Sequence, residues 1–506
     1  MRRPVVVGIA IVLAVALVAG VASVIFLVDR EAPDPQSTGE SGPSALARFY
    51  TQEVEWTDCR DARCTRVEVP IDYEDPEGAT LLLAVRRIPA KGSGGKAMFT
   101  NPGGPGGAAQ SFAGYIAASL PGDLRRTYDV VGVDPRGVGQ SQPLECLSDR
   151  RFDEFIDIDP DPDDDAGIAA LAAGVRDMGL ACEKNSGELA AHVSTEEAAR
   201  DHDIVRAVLG QDEMNWFGFS YGTQLGATYA QLFPEKVGRM VLDGAVDVRL
   251  TPAEQGLGQA RGFQQALEAY LSQCVDQGSC PVGSSVAEAS ATIAQLMDRL
   301  GEKPLKDADG RELSEGRAFY GIAMSLYARE TWPLLTSALR GLTEGDPSVM
   351  LSLADAYFER QSDGSFDNNS GQVIYAINCL DEKDAPDAAE TKALIPQFRE
   401  VSPVFGAALG WGVMACHDWP IPATHPQEPV RAEGAPPILV VGTTRDPATP
   451  YSWSEAMAEQ LASGVLLTRK GDGHTAYTSG NECIQDAVNA YFADGTVPKN
   501  GTVCRE

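Results

Sequence analysis

MNWFGFSYGTQLGATY, residues Met214 to Tyr229, is an apolar run that meets Gly-x-Ser-x-Gly and continues as a small-residue helical pattern. A serine that attacks a carbonyl must stand clear of its own backbone. It therefore sits on a sharp, strained strand-to-helix turn, with glycines on either side where no side chain fits. Gly218 and Gly222 supply that room for Ser220. The flanks agree with this reading. Val205 to Leu209 read as the end of an amphipathic helix, Asn215 to Phe219 as a strand, and Gln224 to Phe233 as a helix stopped by Pro234.

Working toward the N-terminus, Cys59 to Val69, Leu81 to Ile88, Ala97 to Thr100 and Tyr128 to Asp134 read as strands. The third of these runs into Asn101-Pro-Gly-Gly-Pro-Gly-Gly107, which lacks both the GxGxxG spacing and the Lys-Ser/Thr of a phosphate cradle. It reads as an oxyanion loop, where backbone N–H groups approach a reacting oxygen that side chains would keep away, with a merely tight turn as the alternative. In Pro135 to Ser141, Asp134 and Arg136 are a candidate pair bracing the rim of the site, with a plain surface turn as the alternative. The run DIDPDPDDD at Asp157 to Asp165 lacks the central Gly and distal Glu of a calcium loop, and reads as a solvated acidic loop.

Toward the C-terminus, Arg239 to Leu242 form a strand ending at Asp243. From Pro252 apolar residues recur at helical spacing, as in Phe263, Leu267, Tyr270 and Leu271, and strands are scarce until Pro436. PILVVG at Pro437 and GVLL at Gly464 restore the strand pattern, and Cys483 to Phe492 close with a helix. Alternating strands and helices on both sides of a helical stretch imply a mostly parallel sheet with a helical cap inserted after the sixth strand. The reading divides the chain into residues 1–30 (signal anchor or signal peptide), 31–48 (flexible linker), 49–244 and 426–506 (two parts of one α/β core) and 245–425 (cap).

A nucleophilic serine needs a base and a group that orients the base. In the α/β-hydrolase fold the chain order is Ser, then Asp or Glu, then His, at successive strand ends. Asp446 follows PILVVGTTR and His474 follows GVLLTRKGDG, so both sit where late strands open into loops. Asp243 is the rival acid, at an earlier strand end. The other histidines, His192, His202, His417 and His425, precede the serine or lie in or beside the cap. In the resulting acyl transfer His474 takes the Ser220 proton, Asp446 holds the imidazole, and the amides of Tyr221 and Gly104 meet the oxyanion. Pro105 has no N–H to offer. The scheme requires no cofactor and no metal.

Composition narrows the partners. Acidic residues outnumber basic ones 72 to 41, for a net charge of −31 over 506 residues. That argues against nucleic acid or anionic lipid as a partner and for a soluble, self-repelling surface. After Arg2 and Arg3 an uncharged stretch from Pro4 to Val28 is long enough to span a bilayer. It reads as an uncleaved signal anchor, or as a cleaved signal peptide using the small residues near Val21. The arginines would stay cytoplasmic and the remainder would be extracytoplasmic. Ten cysteines in an exported chain suggest disulfides. Cys59–Cys64, Cys274–Cys280 and Cys483–Cys504 are plausible local pairs, with Cys146–Cys182 and Cys379–Cys416 closing longer loops.

NPGGPGG, DPRGVGQS, GFSYGTQLGATYAQLFP, VLDGAVD, AINCLD, TTRDPATPY and GDGHTAY follow one another in the chain. With them, the chain from Phe49 onward resembles the secreted actinobacterial tripeptidyl aminopeptidase-like serine hydrolases, relatives of the prolyl aminopeptidases. The resemblance implies a serine exopeptidase acting on peptides with free N-termini, with Ser220, Asp446 and His474 as triad and Gly104 and Tyr221 as oxyanion donors. It also implies acidic cap residues that bind the substrate's ammonium. Asp381 and Glu382 are the candidates here, with ordinary surface acids as the alternative. The family includes esterases, so an ester substrate is the second reading, and a non-catalytic surface-anchored binding protein a remote third. The membrane would be a partner only through the N-terminal segment, which departs from the freely secreted members.

Overall fold

The computed structural model describes residues 34–92 and 95–505. The N-terminal apolar segment lies outside the described residues, and among those described no helix is long and apolar enough to cross a membrane. Seven strands come first: β1 (Thr57–Asp58), β2 (Arg63–Pro70), β3 (Thr80–Ile88), β4 (Lys96–Asn101), β5 (Tyr128–Val133), β6 (Met214–Phe219) and β7 (Val237–Asp243). A hairpin of β8 (Leu305–Lys306) and β9 (Glu312–Leu313) stands apart, and β10 (Ile438–Arg445), β11 (Gly464–Asp472) and β12 (Thr502–Arg505) complete the main sheet.

The main sheet runs β1-β2-β3-β5-β4-β6-β7-β10-β11-β12. Pairing is antiparallel from β1 to β5 and parallel from there to β12. Every residue of β5 and β6 is buried, as strands covered on both faces by helices require, and their sequences YDVVGV and MNWFGF are accordingly near-continuous apolar runs. This is the α/β-hydrolase arrangement that the sequence implies. The helical insertion follows the seventh strand in chain order, not the sixth, because the two-residue β1, which pairs with β2, lies just before the Cys59 to Val69 stretch and goes unread. The edge strand β12 goes unread as well; it is four residues long and only Cys504 in it is buried.

Between β7 and β10 the chain forms eight α-helices, among them Pro252–Asp276, Glu315–Leu326, Ser348–Phe358 and Ser370–Asp381. Thr251 starts the first with a reciprocal capping box to Glu254. The insertion has an apolar core of its own, built from Leu267, Leu271, Ile293, Ile322, Leu335 and Leu339 among others. All five cysteine pairs named from the sequence are disulfides: Cys59–Cys64, Cys146–Cys182, Cys274–Cys280, Cys379–Cys416 and Cys483–Cys504.

Three expectations need correction. The acidic run is not simply solvated. Asp157 and its neighbour Asp153 hold the Arg317 guanidinium at 2.7 and 2.8 Å, Asp153 also holds Arg360, and Asp161 and Asp165 pair with Arg399 and Lys392. The acids that emerge between β5 and β6 therefore clamp the insertion. Residues 34–44 are not a free tether either. Asp34 pairs with Arg63 and Arg87, Glu40 pairs with Lys236 and Arg206, and Thr38 N–H donates to Ala207 O at 2.9 Å. Finally, Asp134 and Arg136 do not pair with each other. Asp134 accepts from Gln110 and the Gln140 amide, while buried Arg136 binds Asp201 at 2.7 Å and the carbonyls of Pro70, Ile71 and His192.

Candidate active site

The carboxyl ends of the central strands are in register, with Asn101 beside Gly218, Phe219 beside Asp243, and Asp243 beside Val441. That alignment brings the loops leaving β4, β6, β7 and β10 to one edge. Ser220 occupies the turn between β6 and the Tyr221–Leu232 helix with φ 54° and ψ −127°, a conformation that side-chain-bearing residues rarely adopt. The two glycines explain how it is tolerated. A Cβ on Gly218 would lie 2.2 Å from Gly222 O, and one on Gly222 would lie 2.7 Å from Asn101 O. The Ser220 N–H donates to Asp243 O at 3.0 Å, which locks the turn to β7.

The glycine loop lies directly against the serine. A Cβ on Gly103 would meet Ser220 Cβ at 2.8 Å and the Tyr221 amide nitrogen at 2.9 Å. The Gly103 N–H is taken by Asn101 Oδ1 at 2.9 Å. Among the described residues the amides of Gly104 and Tyr221 donate to no protein acceptor. Such amides can receive a developing oxyanion.

His474 follows β11 and presents Nδ1 to Asp446, whose two oxygens lie at 2.8 and 3.0 Å. Asp446 is buried and also accepts from the amides of Ala448, Thr449 and Thr475 at 2.9 to 3.0 Å. Burial pulls the His474 pKa down, but the charge and hydrogen bond of Asp446, together with the charge of Asp243, outweigh it, so the imidazole lies above its usual value. The rival acid Asp243 does not hydrogen-bond the imidazole. Its oxygens accept the N–H groups of Ala476 and Tyr477 at 2.8 to 3.0 Å, and burial pushes its pKa up to about 6.

Ser220, His474, Gly104 and Glu382 line one cavity of about 660 Å³ between the sheet edge and the insertion. The two acids named as ammonium candidates part company here. Asp381 is buried outside this wall, accepting the amide and hydroxyl of Thr195 and the side-chain amide of Gln224. Glu382, the next residue, lines the cavity, hydrogen-bonds and ion-pairs with no described side chain, and is pushed by burial up to about 7.

Sequence reasoning missed the remaining wall. Phe152 and Phe155 come from the Asp149–Ile156 helix, and Tyr320, Tyr327, Tyr357 and Tyr375 from the insertion. Tyr327 packs its ring 5.3 Å from that of His474, and its carbonyl accepts the His474 N–H at 2.8 Å, tying the insertion to the base. The spacing of these aromatics is ordinary core spacing, so no signal in the sequence separates them from buried packing residues. Among the described residues no group of three or more His, Cys, Asp or Glu could hold a metal ion.

Comparison with known proteins places this geometry in context. Residues 402–504 match a family model described as TAP-like protein. The chain is 37% identical to the serine protease Hip1 of Mycobacterium tuberculosis, over 90% of this chain and 91% of that one. It is 38% identical to carboxylesterase B of the same organism, over 92% of each chain. It is also 29% identical to the tripeptidyl aminopeptidase of Streptomyces lividans, over 91% of this chain and 88% of that one.

Proposed function

The chain belongs to the tripeptidyl aminopeptidase-like family of serine hydrolases, and from that premise we propose that it is an exopeptidase cleaving peptide bonds near free N-termini. Ser220 is the nucleophile, His474 the general base and then acid, and Asp446 the group that keeps the Nδ1 proton on the imidazole. The attack of Ser220 Oγ on the scissile carbonyl places negative charge on its oxygen, which the amides of Gly104 and Tyr221 receive. His474 then hands its proton to the leaving amine, and water releases the acyl group by the same route in reverse.

The observation that carries the reading is Glu382, an acid without a described side-chain partner that burial pushes up to about 7, in the wall of the cavity that holds Ser220 and His474; Glu359, the other acid lining that cavity, is exposed to solvent. A substrate ammonium is the cation that such a carboxylate would take, and an aromatic wall with a partly buried acid fixes a peptide by its end. Asp381, committed to Thr195, leaves this role to Glu382. The five disulfides fit an oxidising, extracytoplasmic compartment. Retention there by the N-terminal apolar segment is part of the proposal.

The test compares turnover of a chromogenic tripeptide with a free N-terminus, the same peptide N-acetylated, and a short-chain acyl ester. The proposal expects the free peptide to be preferred over the acetylated one by about 10-fold or more, the scale on which hydrogen-bonded charges contribute. Indifference to acetylation together with preference for the ester would replace it with an esterase reading, the direction in which the carboxylesterase B relative points.

A further inference from the structure

Asp243 touches both halves of the catalytic apparatus without belonging to the triad. Its backbone carbonyl accepts the Ser220 N–H at 3.0 Å. Its carboxylate, with no exposure to solvent, accepts the N–H groups of Ala476 and Tyr477, two and three residues beyond His474. The next residue, Gly244, has a φ of +72° that favours glycine, and a Cβ there would press within 3.0 Å of Thr449 Oγ1 and 3.1 Å of Thr475 Cγ2, beside the His474 ring. One strand end thus fixes the nucleophile through its main chain and the base through its side chain.

We propose that Asp243 is a positioning residue for catalysis, a second carboxylate that fixes the His474 loop against β7 and supports the imidazolium formed when His474 takes the serine proton. Burial pushes the Asp243 pKa up to about 6, so at neutral pH the group is ionised, and because it binds only main-chain N–H groups it sets negative charge near the ring without competing for Nδ1. The groups facing His474 are Asp446 from the loop after β10, Asp243 from β7, the Thr449 hydroxyl, and the Tyr327 phenol ring of the insertion, which hydrogen-bonds with Tyr357. The two carboxylates share the work. Asp446 selects the tautomer and aims the ring, while Asp243 holds the segment from which the ring projects. The inference rests on the triad assignment above.

The test is Asp243→Asn beside Asp446→Asn, each profiled for kcat, KM and the acid limb of kcat/KM on one activated ester. In Asp243→Asn one side-chain N–H replaces an acceptor opposite the Ala476 and Tyr477 amides, and the charge is lost. The expected result is a fall in kcat of about 10- to 100-fold, the scale of a small misplacement of a reacting group, with KM unchanged. The acid limb should move to lower pH, because removing an anion from beside His474 lowers its pKa. Asp243→Glu, which keeps the charge, should keep the limb near its original position. Wild-type kcat and an unmoved limb in Asp243→Asn would overturn the inference. If that variant does not fold, amide hydrogen exchange on the unaltered protein decides. Slow exchange at Ala476 and Tyr477 supports the anchoring, and exchange as fast as in exposed loops overturns it. Full activity in Asp446→Asn would instead remove the triad assignment, so the two failures are distinguishable.

Discussion

At the carboxyl edge of the sheet each functional group hangs on backbone geometry, whereas in the insertion above it the functional groups are side chains on helices that could face several ways. Ser220 is held by a strained φ that two glycines make room for, and Asp446 and His474 by loops only a few residues from their strands. Glu382 and the tyrosines depend on how the helices of the insertion pack over the sheet and on ion pairs spanning well over a hundred residues, such as Arg317 to Asp157. On the proposed reading the edge of the sheet supplies the chemistry, and the insertion selects what reaches it.

That contrast can be broken most severely at Ser220. Ser220→Ala should lose about 10⁶-fold in kcat, the scale on which removal of a triad nucleophile acts, while circular dichroism and Tm stay unchanged. Measurable turnover by the purified variant would move the chemistry elsewhere. Asp446→Asn should cost about 10⁴-fold, since an asparagine at that place favours the wrong imidazole tautomer. In the unaltered enzyme the raised pKa of His474 sets the acid limb. The base must be neutral, so kcat/KM should fall as pH drops through a point above the ordinary histidine value of about 6.5. A limb well below that would mean that Asp446 and Asp243 do not stabilise the protonated ring.

Changes in the insertion should be smaller and of another kind. Arg317 is almost fully buried and holds Asp153 and Asp157, but both acids are partly exposed, so solvent screening discounts the pairs. Arg317→Ala is expected to cost about 1–2 kcal/mol, a fall in Tm of roughly 1–2 °C for a chain of this size, with a broadened thermal transition as the insertion loosens before the sheet. A loss of activity on the ester larger than the loss of stability would mean that the clamp serves the chemistry directly.

The same contrast explains what could be read from the chain alone. The elbow was legible because backbone sterics demand glycine at Gly218 and Gly222, and the apolar run before them and the helical pattern after them mark the strand-to-helix turn. Asp446 and His474 were legible because strand ends are marked by apolar runs that stop. Phe152 and Tyr320 were not, because an aromatic lining a cavity has the same helical spacing as one filling a core. Asp381 and Glu382 were legible only as a pair. The last turn of the Ser370–Asp381 helix sends one to Thr195 and leaves the other in the cavity wall, and adjacent residues on a helix end carry no mark of which is which. The strap of residues 34–44 escaped because its acids read as solvating until Arg63, Arg87, Arg206 and Lys236 are seen opposite them.

The division between edge and insertion is tested most directly by Glu382→Gln, assayed on the free-N-terminal peptide and on the activated ester in the same preparation. The account predicts that KM for the peptide rises about 10-fold or more while ester turnover stays within about 3-fold of the original, the loss of one charge-assisted contact. In the unaltered enzyme the peptide KM should also rise as pH falls through about 7, where Glu382 takes up a proton. Equal losses on both substrates, or no loss on either, would contradict it.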